Sequence, residues 1–334
     1  MLNKLLGDFV NGAISAHTSQ IRNQDISLKF FQNSINITEL ELYKFAFFQY
    51  GFPIIIKCGF IKNIEIVVPW ATFQFDEVKV IIDNIFIVAS FPSNDPTKFV
   101  SDQDLYDIRE HQLAAHHEFT KRFYKILKQI SSQKLSQIAK RVLHSCSIEI
   151  KNLHVRIEID NNTNCHAFGI ITSSINIFTK KPSKGIPQKI EKSIDINDLS
   201  VYLDLNQPFV KYSSIDDFLT TMKNLSKSDN HNFLLEPSFI SAKMTSSTED
   251  ELSNIEIVTN LNVIVFTISK EQLPVMLAIA VNIKKFNQFM FLKKAKKILL
   301  RFMTNASLHK SKTRADTNNN DDQNHQGIII NKEN

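Results

Sequence analysis

The chain has 334 residues, enough to bury a sizeable core, and 43% of them are hydrophobic. Its formal net charge of +5 is small for that length and does not mark a nucleic-acid binder. Three cysteines, Cys58, Cys146 and Cys165, form no CxxC spacing, which argues against a disulfide framework or a zinc site and suits a reducing compartment.

At the start, Leu2, Leu5, Leu6, Phe9, Val10, Ala13 and Ile14 recur at three- and four-residue steps. That spacing predicts a helix over 2–18 with one apolar face, suited to covering the core or to meeting a membrane. Asp8 and the lack of an uninterrupted apolar run separate this stretch from a signal peptide.

Residues 25–90 alternate apolar and polar with period two and predict strands. The alternation slips by one residue at recurring points. In Ser147–Ile159 the apolar residues stand at even positions to Ile150 and at odd positions from Leu153. Ser193–Leu205 repeats this position for position, and shorter versions occur at Ile35–Leu42 and Phe60–Ile66. A one-residue slip turns every side chain to the other face, so keeping one face buried across it requires a bulge or bend. The expectation is a repeated unit of strand, kink and strand in an elongated sheet.

Residues 102–143 predict a helical stretch, followed by strands from 147 to about 205 and a polar loop over 206–235. Weaker strands follow near 238–245 and 254–268, and a long helix spans about 271–303. From 270 to 314 eleven Lys and Arg stand against the single acid Glu271. Lys293, Lys294, Lys296, Lys297 and Arg301 interleave there with Ile298, Leu299 and Phe302, as in a basic amphipathic helix that lies on a membrane or a partner. The longest apolar run in this region, Leu273–Val281, contains a proline and is too short to span a bilayer. The polar tail from Asn305 is expected to be disordered.

Catalytic constellations are not evident. The sequence has neither a phosphate-cradling glycine loop nor a nucleophile elbow. His116-His117-Glu118 is the nearest thing to a metal cluster, but adjacent histidines on a helix point about 100° apart. Glu149, Glu158, Asp195 and Asp204 fall on the polar side of the alternation, the side expected to face solvent.

The segment Gly51–Trp70, with Pro53, the Gly59-x-Ile61 step, an alternating strand and the closing Pro69-Trp70, resembles the N-terminal signature of the chorein family of bridge-like lipid transporters. Ile26-x-Leu28, Ile35–Leu42, Val78–Ile87, Ile148–Ile159, Ala167-Phe168-Gly169, Leu199-x-Val201-Tyr202 and Glu271-Gln272 follow in the family's order, so the resemblance covers about 1–300. It implies an α+β fold: an elongated, twisted, mostly antiparallel sheet forming an apolar trough, with an N-terminal helix, a central helical insertion and a C-terminal basic amphipathic helix. The expected divisions are 1–100 (helix plus strands), 101–145 (helical insertion), 146–268 (continuing trough), 269–303 (basic helix) and 304–334 (tail). The expected floor consists of Leu40, Leu42, Ile64, Ile66, Leu153, Val155, Ile157, Leu199, Val201 and Leu203. The expected membrane contacts are Leu2, Leu5, Leu6 and Phe9 at one end and Lys293, Lys294, Lys296, Lys297 and Arg301 at the other.

The implied activity is binding and transfer of glycerophospholipids at membrane contact sites, with no cofactor and no chemistry. The expected setting is the cytoplasmic side of the endoplasmic reticulum or another organelle, with a membrane-protein partner and no nucleic acid. The alternative is a structural adaptor or peripheral tether, a subunit of a larger assembly that moves no lipid.

Overall fold

The computed structural model describes residues 17–18, 26–29, 34–50, 52–67, 78–91, 101–127, 146–161, 164–180, 190–227, 231–249, 252–261, 263–289 and 291–292. In chain order the elements are β1 (Ile26–Lys29), β2 (Ser34–Glu41), a 3-10 turn (Phe48–Tyr50), β3 (Ile55–Val67), β4 (Val78–Ser90), α1 (Asp102–Leu127), β5 (Cys146–Asn161), β6 (Asn164–Lys180), β7 (Ile190–Gln207), α2 (Ile215–Ser226), β8 (Phe233–Glu249) and β9 (Leu252–Leu261). The chain divides into two units, Met1–Ile279 and Ala280–Asn334. The first holds the whole sheet and ends in helical residues 272–279; in the second, residues 280–289 and 291–292 are helical.

The nine strands form one open sheet in sequence order. Every neighbouring pair is antiparallel except β4–β5, which is parallel, so a meander β1–β4 is joined side by side to a meander β5–β9. The antiparallel neighbours are joined by hairpin connections, of which that between β2 and β3 holds the 3-10 turn and that between β7 and β8 holds α2. The parallel pair needs a connection that returns along the sheet, and α1 lies in that connection.

The slip read from the sequence is a line of kinks across the sheet. Glu39, Asn84, Asn152 and Asp198 have φ of 56°, 53°, 52° and 53°. A left-handed residue within a strand re-aims the chain and resets its alternation, and Asn and Asp tolerate that conformation best. The registers run one-to-one past this level: Thr38↔Asn63 then Leu40↔Ile61, Asp83↔Lys151 then Ile85↔Leu153, Lys151↔Ser174 then Leu153↔Thr172. From β2 to β7 the residues at this height are Glu39, Lys62, Asn84, Asn152, Ser173 and Asp198, of which Glu39, Asn84, Asn152 and Asp198 are the left-handed ones. Their side chains help tie the line together. Asn152 Nδ2 donates to Asn84 Oδ1 at 3.2 Å, and Ser173 Oγ donates to Asp198 Oδ2 at 2.7 Å. The line ends at β7–β8, where two residues between Ile196 and Leu199 oppose one between Ile240 and Ser238, a bulge.

Three sequence expectations change. Residues 17–18 form a turn and a bridge, Thr18 pairing with Leu42, so the helix expected over 2–18 does not reach them. Residues 1–16, 128–145 and 293–334 lie outside the described residues. The polar loop expected over 206–235 contains α2, whose N-cap Ser214 accepts from the Asp217 amide while the Asp217 carboxylate accepts from Ser213. The weak strands near 238–245 and 254–268 are β8, which starts at Phe233, and β9, which stops at Leu261.

Candidate functional site

The register carries one apolar face across the sheet in transverse rows. From β2 to β9 one row is Ile37, Ile64, Ile82, Ile150, Ile175, Ile196, Ile240 and Leu261, each the direct partner of the next. The neighbouring row is Ile35, Ile66, Val80, Ile148, Ile177, Ile194, Ala242 and Thr259. At about 4.8 Å between strands the first row spans roughly 34 Å. Burial fades along it. Ile37 is wholly buried, Ile82, Ile150, Ile175 and Ile196 are half-buried, and Leu261 is 55% exposed.

Beyond the kink line the same face continues as Leu40, Ile61, Ile85 and Leu153, then as Ile87, Val155, Ile170 and Val201, then as Ala89, Ile157, Phe168 and Leu203. Here Ala46, Tyr43 and Phe47 from the β2–β3 connection pack on Ile56, Ile87, Ala89 and Ile157. The ten expected floor residues all fall on this one face. Leu40, Ile64, Ile66, Ile157 and Leu203 are buried, while Leu42, Leu153, Val155, Leu199 and Val201 are half-buried. On the other side of the kinks Val80, Ile82, Ile148, Ile150, Ile175, Ile177, Ile194 and Ile196 are half-buried as well. These eight were not among the expected floor residues, although their alternation before the slip is visible in the sequence.

The opposite face differs on the two sides of the kink line. On the side of these eight residues it is polar: Lys79 and Lys151 bridge Glu149 at 2.8 and 3.2 Å, and Asp195 accepts from Ser241 at 2.7 Å. The two lysines hold the Glu149 carboxyl below its ordinary range. On the other side α2 covers it, setting Phe218 and Met222 on Cys58, Phe60, Phe86 and Val88. The expectation of a solvated polar face fails there: His154, Arg156, Glu158 and Asp204 are all buried, Arg156 at 3% and Glu158 at 2% exposure.

That buried polar layer is closely partnered, as burial demands. Arg156 Nη2 donates to the Pro208 carbonyl at 3.0 Å, and Glu158 receives Lys57 Nζ at 3.0 Å and the Val210 amide at 2.7 Å. His154 Nδ1 lies 3.3 Å from the Met222 carbonyl, which can only accept, so Nδ1 carries the proton and Nε2 accepts from the Tyr202 hydroxyl at 2.8 Å. Burial, with His231 and Arg156 nearby, pushes the His154 pKa down to about 3. His231 stacks on Tyr202 and spans from Asp204, at 2.7 Å, to the Leu225 carbonyl, at 2.8 Å. These contacts fix α2 to the sheet.

The expected membrane contacts Leu2, Leu5, Leu6, Phe9, Lys293, Lys294, Lys296, Lys297 and Arg301 lie outside the described residues. Among the described residues no three His, Cys, Asp or Glu side chains gather as a metal site, and no helix is long and apolar enough to cross a membrane.

Fold and site together define an open, mostly antiparallel sheet that holds one face apolar across a line of kinks. No family model matches the chain. Among curated proteins it is 24% identical over 247 residues to the intermembrane lipid transfer protein tipC of Dictyostelium discoideum, covering 69% of this chain and 6% of that one. It is 22% identical over 258 residues to human intermembrane lipid transfer protein VPS13D, covering 72% and 6%. It is 22% identical over 182 residues to intermembrane lipid transfer protein VPS13 of Chaetomium thermophilum, covering 51% and 5%. The chain thus carries a region like the N-terminal part of the chorein/VPS13 proteins and spans about 6% of the length of the first two relatives.

Proposed function

We propose that this chain binds glycerophospholipids by their acyl chains along the apolar face and passes them between membranes without chemistry. The carrying observation is the pair of unbroken transverse rows, half-buried over β4–β7. Each Å² of apolar surface that an acyl chain removes from water contributes about 25 cal/mol. A curved sheet with this face inside makes a trough, covered at one end by the β2–β3 connection and continued by the segment to 268. The chain sits peripherally on the cytoplasmic side of the endoplasmic reticulum or another organelle at a contact site. It is held there by Leu2, Leu5, Leu6 and Phe9, by Lys293, Lys294, Lys296, Lys297 and Arg301, and by a membrane-protein partner. The kinship to proteins named for intermembrane lipid transfer supports this reading.

The test is mass spectrometry of lipid extracted from purified protein, with Ile150→Glu and Ile196→Glu as variants. The expected result is several phospholipid species on the wild type and loss of bound lipid from folded variants. Extracts no richer in lipid than a control protein would overturn it. The low exposure of Ile37 and Leu40 favours a second reading, a tether whose apolar face is already covered; lipid-free protein with a dry core would establish that instead.

A further inference from the structure

Between α2 and the sheet face it covers lies a cavity of about 340 Å³, beside the kink line. Phe86, Ile171, Phe233 and Pro237 supply apolar wall, and the polar lining comes from α2 on one side and β5–β7 on the other. Most of its uncharged polar groups already have partners. Thr172 donates to the Asn197 carbonyl at 2.7 Å, Ser173 to Asp198 at 2.7 Å, Ser226 to the Lys223 carbonyl at 2.9 Å and Asn152 to Asn84 at 3.2 Å. Three donors do not. Ser200 lines the cavity at 2% exposure, and its hydroxyl has no hydrogen-bond partner among the described residues. Lys223 and Lys227 line it from α2 and its C-cap, and neither forms an ion pair among the described residues. The helix end does not occupy them, since the Leu225 carbonyl accepts from His231 and the Asn224 carbonyl from the Lys227 amide.

We propose that this cavity binds the phosphate ester of a small amino or hydroxy alcohol. A buried hydroxyl is costly unless something meets it, and the two ammonium groups can only donate, so the missing group is an acceptor. Two lysines against one carboxylate, Asp198, leave the lining net positive, so that acceptor is an anion. Ser200 stands on β7 and the lysines on α2, on opposite walls. A tetrahedral phosphate presents oxygens to both, whereas the two oxygens of a carboxylate lie in one plane. Asp198 accepts from Ser173 through Oδ2 and keeps Oδ1 unmatched among the described residues, a place for the ammonium or hydroxyl of the alcohol. The volume is small for a ligand site and suits a headgroup-sized molecule. The cavity is on the face opposite the apolar rows, so it and the acyl-chain reading stand or fall separately.

The test titrates O-phosphoethanolamine into the full chain by calorimetry at low salt. Saturable binding is expected, about tenfold tighter than that of inorganic phosphate. Lys223→Gln with Lys227→Gln is expected to weaken it about tenfold or more, and Ser200→Ala about fivefold. Both variants are expected to keep the wild-type melting temperature, because the lysines are exposed and the hydroxyl has no partner to lose, and to keep the wild-type content of extracted lipid. Phosphatidylethanolamine vesicles that displace the probe would assign the ester to a lipid headgroup, and vesicles that leave it bound would assign it to a free phosphate ester. An absence of saturable binding overturns the proposal. So does binding that neither variant weakens, or inorganic phosphate binding as tightly as the ester.

Discussion

Gly169 stands opposite Tyr202 across β6 and β7, and the tyrosine ring occupies the space a side chain at 169 would need. A Cβ at Gly169 would overlap Cζ, Cε1 and the hydroxyl of Tyr202. That ring is wholly buried, donates to His154 and stacks on His231, so it cannot yield without breaking the layer beneath α2. Gly169→Ala is therefore expected to cost about 2–4 kcal/mol. Urea unfolding should show it as a lowered midpoint. An alanine variant as stable as the wild type would mean that the ring has another place to go.

His154 makes stability depend on pH. Burial holds the ring neutral in the fold down to about pH 3, while in the unfolded chain it takes up a proton near 6.5. The unfolded state thus binds more protons between these values. Stability is full above about 6.5 and falls as pH drops toward 3, by up to about 1.4 kcal/mol per pH unit from this group. His17 and His166, also lowered by burial, add to the slope. His154→Gln can accept from Tyr202 and donate to Met222 without titrating. It should flatten most of the dependence between pH 6.5 and 5, measured as urea midpoints.

The kink line is testable at Asn152. Its φ of 52° excludes a β-branched side chain far more strongly than it does asparagine or glycine. Asn152→Val is expected to lose about 1–3 kcal/mol, and Asn152→Gly less than 1 kcal/mol, since glycine relieves the backbone while giving up only the bond to Asn84. Equal losses in the two variants, read by thermal unfolding, would show that the conformation is not what matters there.

Arg156 separates the two faces of β5. Read from the sequence, it shares the polar side of the strand with His154 and Glu158, and Arg156→Glu is expected to be mild. In the structure it lies under the chain at Pro208 beside the buried Glu158 carboxylate. Reversing its charge would bury two carboxylates together and leave the Pro208 carbonyl with only the weak Cys165 thiol as donor. The expected cost is about 3–5 kcal/mol, seen as insoluble or unfolded protein. Lys151→Gln, on the same strand but past the kink and half in solvent, should be mild.

The contrast shows what the sequence could and could not reveal. The slip at Ile150–Leu153 and at Ile196–Leu199 was legible because strand periodicity is local: two neighbouring residues of like character betray a reset. That Glu39, Asn84, Asn152 and Asp198 fall at one height was not, because register belongs to pairs of strands. The buried state of His154, Arg156, Glu158 and Asp204 was hidden for a related reason. The same alternation places polar residues outward whether or not another element later covers them. The cover did leave a signal in the supposed loop: Ser214 and Asp217 form a capping pair, and Phe218, Met222 and Leu225 follow at helical spacing. Among the expected floor residues, shared facing followed from the alternation. Which of them are buried outright, as Ile157 is, depends on what the β2–β3 connection packs against.

The parallel seam between β4 and β5 has a consequence for how the chain assembles. Within each meander the strands are joined to their neighbours by connections shorter than that between β4 and β5, the longest of them the one between β7 and β8 that holds α2, so their contacts are the more local ones. The pairing of Val78–Ser90 with Cys146–Glu158 instead brings together segments separated by the whole connection that contains α1, and the entropy of closing that long loop comes before any ladder bond repays it. The two meanders are thus expected to form as separate stacks, with docking at the seam the slow step. Until it occurs, the Asn84–Asn152 bond is unmade and two long strand edges, β4 and β5, stand open at once. The interval before docking is when a nascent chain is most exposed to mispairing, and a linkage that shortens the path from Ser90 to Cys146 would shorten that interval more than any added contact within either meander.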